Sequence, residues 1–206
     1  MTAGVLFPTR QFQPGELNRL YATVTEHYPY QSLQHLPDGV RMANPDGDCI
    51  VQGGQIPNPG RLQVNENNIF HFEPAKEKAL DLFEIVSQNL KIEQYLTFGV
   101  KLTAFLPMEG PTASEVIENS AFASFRPVLD MLGAGRVGCG LRVVIHNNGA
   151  HDLKIEPFFG DLTRLFIELD VQHHEPFAAL PQLEDKMNSA FRFLNQDVRA
   201  MLSEMG

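Results

Sequence analysis

What this 206-residue chain has little of narrows its function before any motif is considered. Positive charge is short: 16 lysines and arginines face 25 aspartates and glutamates, a formal net charge of -9. Duplex nucleic acid calls for a basic footprint that displaces counterions, and anionic membranes attract basic segments, so the balance argues against both partners. Cysteine is scarce as well. Cys49 and Cys139 stand far apart, without metal-ligand spacing. Long apolar runs are missing, since no segment approaches the ~20 residues that span a bilayer. The opening MTAGVLFPTRQF has no basic stretch followed by an apolar core, so no signal peptide is expected and the thiols are read as reduced, in the cytoplasm. Catalytic signatures are absent too: no phosphate-binding loop, no G-x-S-x-G elbow, no H-E-x-x-H helix and no close carboxylate pair, and no cofactor or metal is assigned.

What is there is ordinary globular composition, 43% hydrophobic and 20% charged, in a chain long enough for one large domain or two small fused ones. VLFPTRQF (5–12) reads as a strand with Pro8 marking an edge or bulge. From Pro14 on, Leu17, Leu20, Tyr21 and Val24 recur at i, i+3, i+4, i+7, the stripe of an amphipathic helix. A turn signal at NPDGD separates QSLQHLPDGVRMA from CIVQGGQI, and a second stands at PNPG. NIFHFE (68–73) reads as a short strand. PAKEKALDLFEIVSQNL is then a helix with Leu80, Phe83, Val86 and Leu90 facing inward.

A second cycle begins at Tyr95. YLTFGVKLTAFL (95–106) alternates, with Leu96, Phe98, Val100, Leu102 and Ala104 on one face and Thr97, Lys101 and Thr103 on the other. TASE (112–115) spells a capping box and opens a helix towards Leu132, which Pro127 should kink or divide. VGCGLRVVIHNNGAHDLKIEPF is a hairpin around a type I′ turn at Asn148-Gly149. TRLFIELDVQ is a further strand, and Leu183, Met187, Ala190, Leu194, Val198 and Met201 form the stripe of a last helix.

Residues 1–93 and 94–206 thus share an order of strand, helix, about three strands and helix, which predicts an α+β fold. Its antiparallel sheet carries helices on one face, and two pseudo-repeats form one globular domain. This element order resembles the duplicated folds of the TATA-binding-protein type, whose curved sheet offers an open face to a partner; no DNA-contacting residue carries over. The pieces YLTFGVKL and LKIEPFFGDLTRLFIELDV, with the closing amphipathic helix, look like the C-terminal half of a sporadically distributed bacterial family of uncharacterised proteins. That family typically has a Gly-x-Arg-Tyr strand where this chain has Gly99-Val100-Lys101-Leu102, and the resemblance implies no activity.

GAGRVGCG (133–140) spells G-x-G-x-x-G. A dinucleotide loop comes after a strand and opens a helix, whereas here a helix comes first and a strand after, so Gly133 is read as a helix-ending glycine. Cys139 falls in alternation with Leu141, Val143 and Ile145, which predicts a buried structural cysteine. His71 with Glu73, and His173 with Glu175, share strand faces and are the best metal-like pairs, yet neither segment supplies three ligands. The open face of the second half is the remaining candidate. It is expected to present Lys101, Thr103, Gly138, Gly140, Arg142, Val144, His146, Lys154, Glu156, Arg164, Phe166, Glu168 and Asp170, with Val144 and Phe166 as apolar anchors among paired charges. The glycines would leave bare backbone there for a close approach. These features point to a non-enzymatic binding or assembly protein that uses the face, or a sheet edge, for a protein partner or for self-association. The alternative is a small-ligand or metal-dependent enzyme or sensor with a pocket between sheet and helices.

Overall fold

The structure, a computed structural model, describes residues 1–67, 71–133, 135 and 137–205. The chain forms two compact units, Met1–Lys101 with Gln172–Ser189, and Leu102–Val171 with Ala190–Gly206. Residues 172–189 thereby join the first unit, although they lie late in the sequence.

In the first unit β1 (Thr2–Phe7) buries Ala3, Val5 and Phe7 on one face. The strand expected over 5–12 stops at Phe7, because Pro8 has no N–H to give to a ladder. Pro14 takes the first helical position of α1 (Pro14–His27), and the Gln13 N–H donates to Glu16 Oε2 at 2.9 Å across the first turn. Leu17, Leu20 and Val24 are buried as their spacing predicts, and Tyr21 is half-buried.

Four antiparallel strands come next: β2 (Ser32–Leu36), β3 (Gly39–Asn44), β4 (Gly47–Gln52) and β5 (Gly60–Glu66). At the NPDGD turn Asn44 and Gly47 are paired, and Asn44 Oδ1 accepts from the N–H groups of Asp46 and Gly47, both at 3.0 Å. β5 was not expected. Its RLQVNE run has only Leu62 and Val64 as strand-favouring residues, and it is held because β1 pairs on one side and β4 on the other.

The strand expected at NIFHFE needs correction. Asn68, Ile69 and Phe70 lie outside the described residues, His71 precedes a helix, and Phe72 and Glu73 already belong to α2 (Phe72–Leu90). Pro74 is tolerated there, since the first turn's N–H groups have no intrahelical acceptor. Leu82, Phe83, Val86 and Leu90 of α2 are buried; Leu80, expected inward, is half-buried. Each fully buried leucine or phenylalanine contributes about 1.5–3 kcal/mol, which fixes α1 and α2 on the face formed by Ala3, Val5, Leu62 and Val64.

The strand β6 (Thr97–Pro107) and the strand β9 (Arg164–His173) each contribute to both units. In the second unit Thr112 caps α3 (Ala113–Ser120): its Oγ1 accepts from the Glu115 N–H, and its own N–H donates to Glu115 Oε2 at 2.8 Å. The helix expected to reach Leu132 is divided. α3 ends at Ser120, a 3-10 turn covers Ala123–Phe125, and α4 (Arg126–Asp130) starts afresh with Pro127 in its first turn. β7 (Leu141–His146) and β8 (Ala150–Pro157) form the predicted hairpin. Its loop has three residues rather than two: His146 pairs with Ala150, the Asn147 N–H donates to the Gly149 carbonyl, and Asn148 and Gly149 both have positive φ.

The final helix, α5 (Pro181–Arg192), runs into a π-helical stretch (Phe193–Val198) and α6 (Arg199–Ser203). Leu183, Met187, Ala190 and Val198 of its expected stripe are buried, Leu194 and Met201 half-buried. Among the described residues the strands hydrogen-bond in the order β2-β3-β4-β5-β1-β6-β9-β8-β7, which makes β2 and β7 the edges. Among the described residues of the first half four strands lie between the helices, where the expectation was about three.

Candidate functional site: the open face of the second unit

Strict alternation builds this face. In β8 His151, Leu153, Ile155 and Pro157 are buried, which turns Asp152, Lys154 and Glu156 to the other side. In β9 Leu165, Ile167, Leu169 and Val171 are buried, which turns out Arg164, Phe166, Glu168 and Asp170. α3 packs over the buried side of β8 through Ala113, Val116 and Ile117. At the edge, β7 exposes Arg142, Val144 and His146, while Leu141, Val143 and Ile145 are only half-buried.

The charges on the face pair with one another. Arg142 donates to both Asp152 oxygens, from Nε at 2.8 Å and Nη2 at 2.5 Å. Lys154 Nζ lies 2.9 Å from Glu168 Oε1, and Arg164 Nε 3.0 Å from Asp161 Oδ2. The hydrogen bond to Asp152 raises the Arg142 pKa, and that to Glu168 raises the Lys154 pKa. Hydrogen bonds from the Thr163 hydroxyl and N–H lower that of Asp161. Water screens these pairs, so they add little to stability and chiefly set the side chains in place.

Between the charges lies an aromatic cluster. The Phe105 ring meets Phe158 edge-on at 4.9 Å and 68°, and Phe166 at 5.7 Å and 60°. Phe105 is nonetheless 49% exposed, and Val144 and Phe159 are exposed by 54% and 60%. Phe105, Phe158 and Phe159 escaped the sequence reading. The signal was present, since Phe105 continues the outward set of Thr97, Lys101 and Thr103.

Not every expected face residue belongs to this face. Lys101 pairs with Thr2 of β1 and falls in the first unit. Gly138 precedes the regular strand, and a side chain there would meet the Ser114 hydroxyl at 2.3 Å and Pro157 at 2.9 Å, so α3 and the end of β8 already close over it. The bare backbone expected at Gly138 is therefore filled from within. Gly140 is exposed beside Glu156, whose Cβ would lie 3.0 Å from an added Cβ. Cys139, expected buried, is half-buried, because alternation begins only at Leu141; Cys49 is buried, its thiol pushed up to about 12 by desolvation, and neither forms a disulfide.

The G-x-G-x-x-G stretch comes after a helix and precedes a strand, as its neighbours predict. Gly133 has φ +94° and its N–H donates to the Asp130 carbonyl; Ala134 and Arg136 lie outside the described residues. The metal-like pairs are not assembled. Glu73 lies in α2 and pairs with Lys76, so it shares no strand face with His71. His173 is buried and stacked on Phe98 at 6.0 Å, whereas Glu175 is exposed beyond the end of β9. Among the described residues no group of three or more His, Cys, Asp or Glu could hold a metal ion, and no helix is long and apolar enough to cross a membrane. No protein-family model matches the chain, and no curated protein matches it.

Proposed function

We propose that this is a non-enzymatic binding or assembly protein that holds a protein partner on the open sheet face of its second unit. The observation that carries the reading is the aromatic cluster: Phe105 lies between Phe158 and Phe166, half in water, with exposed Val144 and Phe159 on the same unit. A folded chain in water gains by covering such side chains, and an apolar centre ringed by polar groups is the usual anatomy of a protein interface. The charged pairs Arg142–Asp152 and Lys154–Glu168 are satisfied internally, so they form the rim and recognition falls to the rings. Gly140 keeps its part of the face low. At the edge, β7 offers unpaired backbone groups beside Val144, where a partner's strand can add. The two thiols and the acidic surface suit a cytoplasmic setting.

Affinity capture with the wild-type chain and with Phe105→Ser tests the reading. A stoichiometric protein partner retained by the wild type and lost from the folded variant is expected. Equal retention by both would remove the face from the account.

A further inference from the structure

The first unit has a groove of about 760 Å³ between α2 and residues 91–95 and 178–184. Sites for small organic ligands enclose about 300–1,000 Å³, so the groove has the size of one. On α2, Leu80, Asp81, Glu84, Ser87 and Gln88 recur at i, i+1, i+4, i+7 and i+8, which makes one face of the helix a continuous wall. Leu80, Ile92 and Leu180 supply apolar surface.

The rim is short of positive charge. Asp81, Glu84, Glu93 and Glu184 line the groove against one lysine, Lys91. Lys76 pairs with Glu184 at 3.3 Å, but it also pairs with Glu73 at 2.7 Å, and counting both partners leaves the surplus of negative charge unchanged. Among the described residues the other three carboxylates have no lysine or arginine partner. Asp81 accepts from the Tyr28 hydroxyl at 2.6 Å and Glu84 from the Gln88 amide at 2.9 Å, and neither donor brings a charge. α2 also has no basic residue in its last turn, the end at which the helix dipole favours a cation.

A polar donor stands at the base of the groove. Ser87 lines it and is 5% exposed, and its Oγ accepts from the Tyr95 hydroxyl at 2.6 Å. The Ser87 O–H itself donates to no acceptor among the described residues, and a buried donor calls for one.

We infer that the groove binds a small organic amine. The rim carboxylates hold its ammonium, Leu80, Ile92 and Leu180 carry its apolar body, and an oxygen on that body accepts from Ser87. The apolar surface suits a body larger than a bare metal ion, and among the described residues no group of three acidic side chains is assembled to hold one. Every lining residue belongs to the first unit, so the inference is independent of the sheet-face reading.

Microcalorimetry with four matched probes tests it: phenylethanolamine, phenethylamine, phenethyl alcohol and phenylacetate. Phenylethanolamine is expected to bind one per chain with Kd below about 1 mM, and phenethylamine, which lacks the oxygen, about fivefold more weakly. The neutral and anionic probes should bind at least about tenfold more weakly than phenylethanolamine. Glu84→Gln with Glu93→Gln, both exposed, should weaken both amines at least about tenfold, and Ser87→Ala should erase the advantage of phenylethanolamine over phenethylamine. Glu26→Gln with Glu109→Gln removes the same charge at exposed positions outside the groove and should leave binding unchanged. Absence of saturable binding by either amine overturns the inference, as does equal binding of phenylacetate. Equal weakening by the two glutamine pairs overturns it too, since the amines would then follow the overall charge of the chain.

Discussion

Replacing Phe105 and Phe166 with alanine, singly and together, asks whether the exposed rings are a preorganised cluster. Phe105 is 49% exposed, so its truncation forfeits about half the burial of a phenylalanine, roughly 1 kcal/mol. It also breaks two edge-on ring contacts, at 4.9 and 5.7 Å, each worth about 0.5–1.5 kcal/mol. The single variant should thus lose about 2–4 kcal/mol. Because Phe166 contributes one of those contacts, the double variant should lose less than the sum of the singles, by a coupling of about 1 kcal/mol. Urea unfolding at 25 °C, monitored by circular dichroism for all four proteins, measures it. Strict additivity would show that the rings do not hold one another and that the face is not preorganised for docking.

Three further perturbations test the scaffold. Thr112→Ala removes the capping interactions of α3 and should cost about 1 kcal/mol of stability, read from the shift in urea midpoint. Gly60→Ala would place a methyl 2.1 Å from the Phe7 ring and should destabilise by about 1–3 kcal/mol; Gly15→Ala, with nothing nearer than 3.9 Å, should be neutral or stabilising in the same melts. Burial opposes the charge on Lys76, but its hydrogen bonds to Glu73 and Glu184 outweigh that and raise its pKa. A raised pKa means a stabilising contribution that is full below the ordinary lysine value of about 10.4 and lost as pH climbs through the folded value. The stability gap between wild type and Lys76→Gln should therefore narrow above that pH, and a constant gap in alkaline thermal melts would contradict the assignment.

The fold was readable wherever the apolar period was strong. Leu17, Leu20 and Val24 mark α1, Phe98, Val100 and Leu102 mark β6, and T-x-x-E marks the start of α3. It failed where tertiary pairing overrode composition: β5 has two strand-favouring apolar residues and exists because strands flank it on both sides. In NIFHFE the alternating aromatics hid a helix start, as Phe72 opens α2. The face was legible in β8 and β9, whose buried residues alternate without a break. Gly138 and Cys139 were misplaced because alternation was extended three residues beyond the true start of β7, into a segment that turns towards Ser114. The cluster was only half visible, since no local pattern says that Phe105 of β6 and Phe166 of β9 meet.

Photo-crosslinking from the face itself tests the central claim most directly. A benzoylphenylalanine at Val144, in the living cell, is expected to give a discrete protein adduct that disappears when Phe105 and Phe166 are changed to serine. The same probe at Gln34, exposed on β2 of the first unit, should give no such adduct. Adducts of equal yield from both positions, or an adduct from Val144 that survives loss of the two rings, would contradict the account.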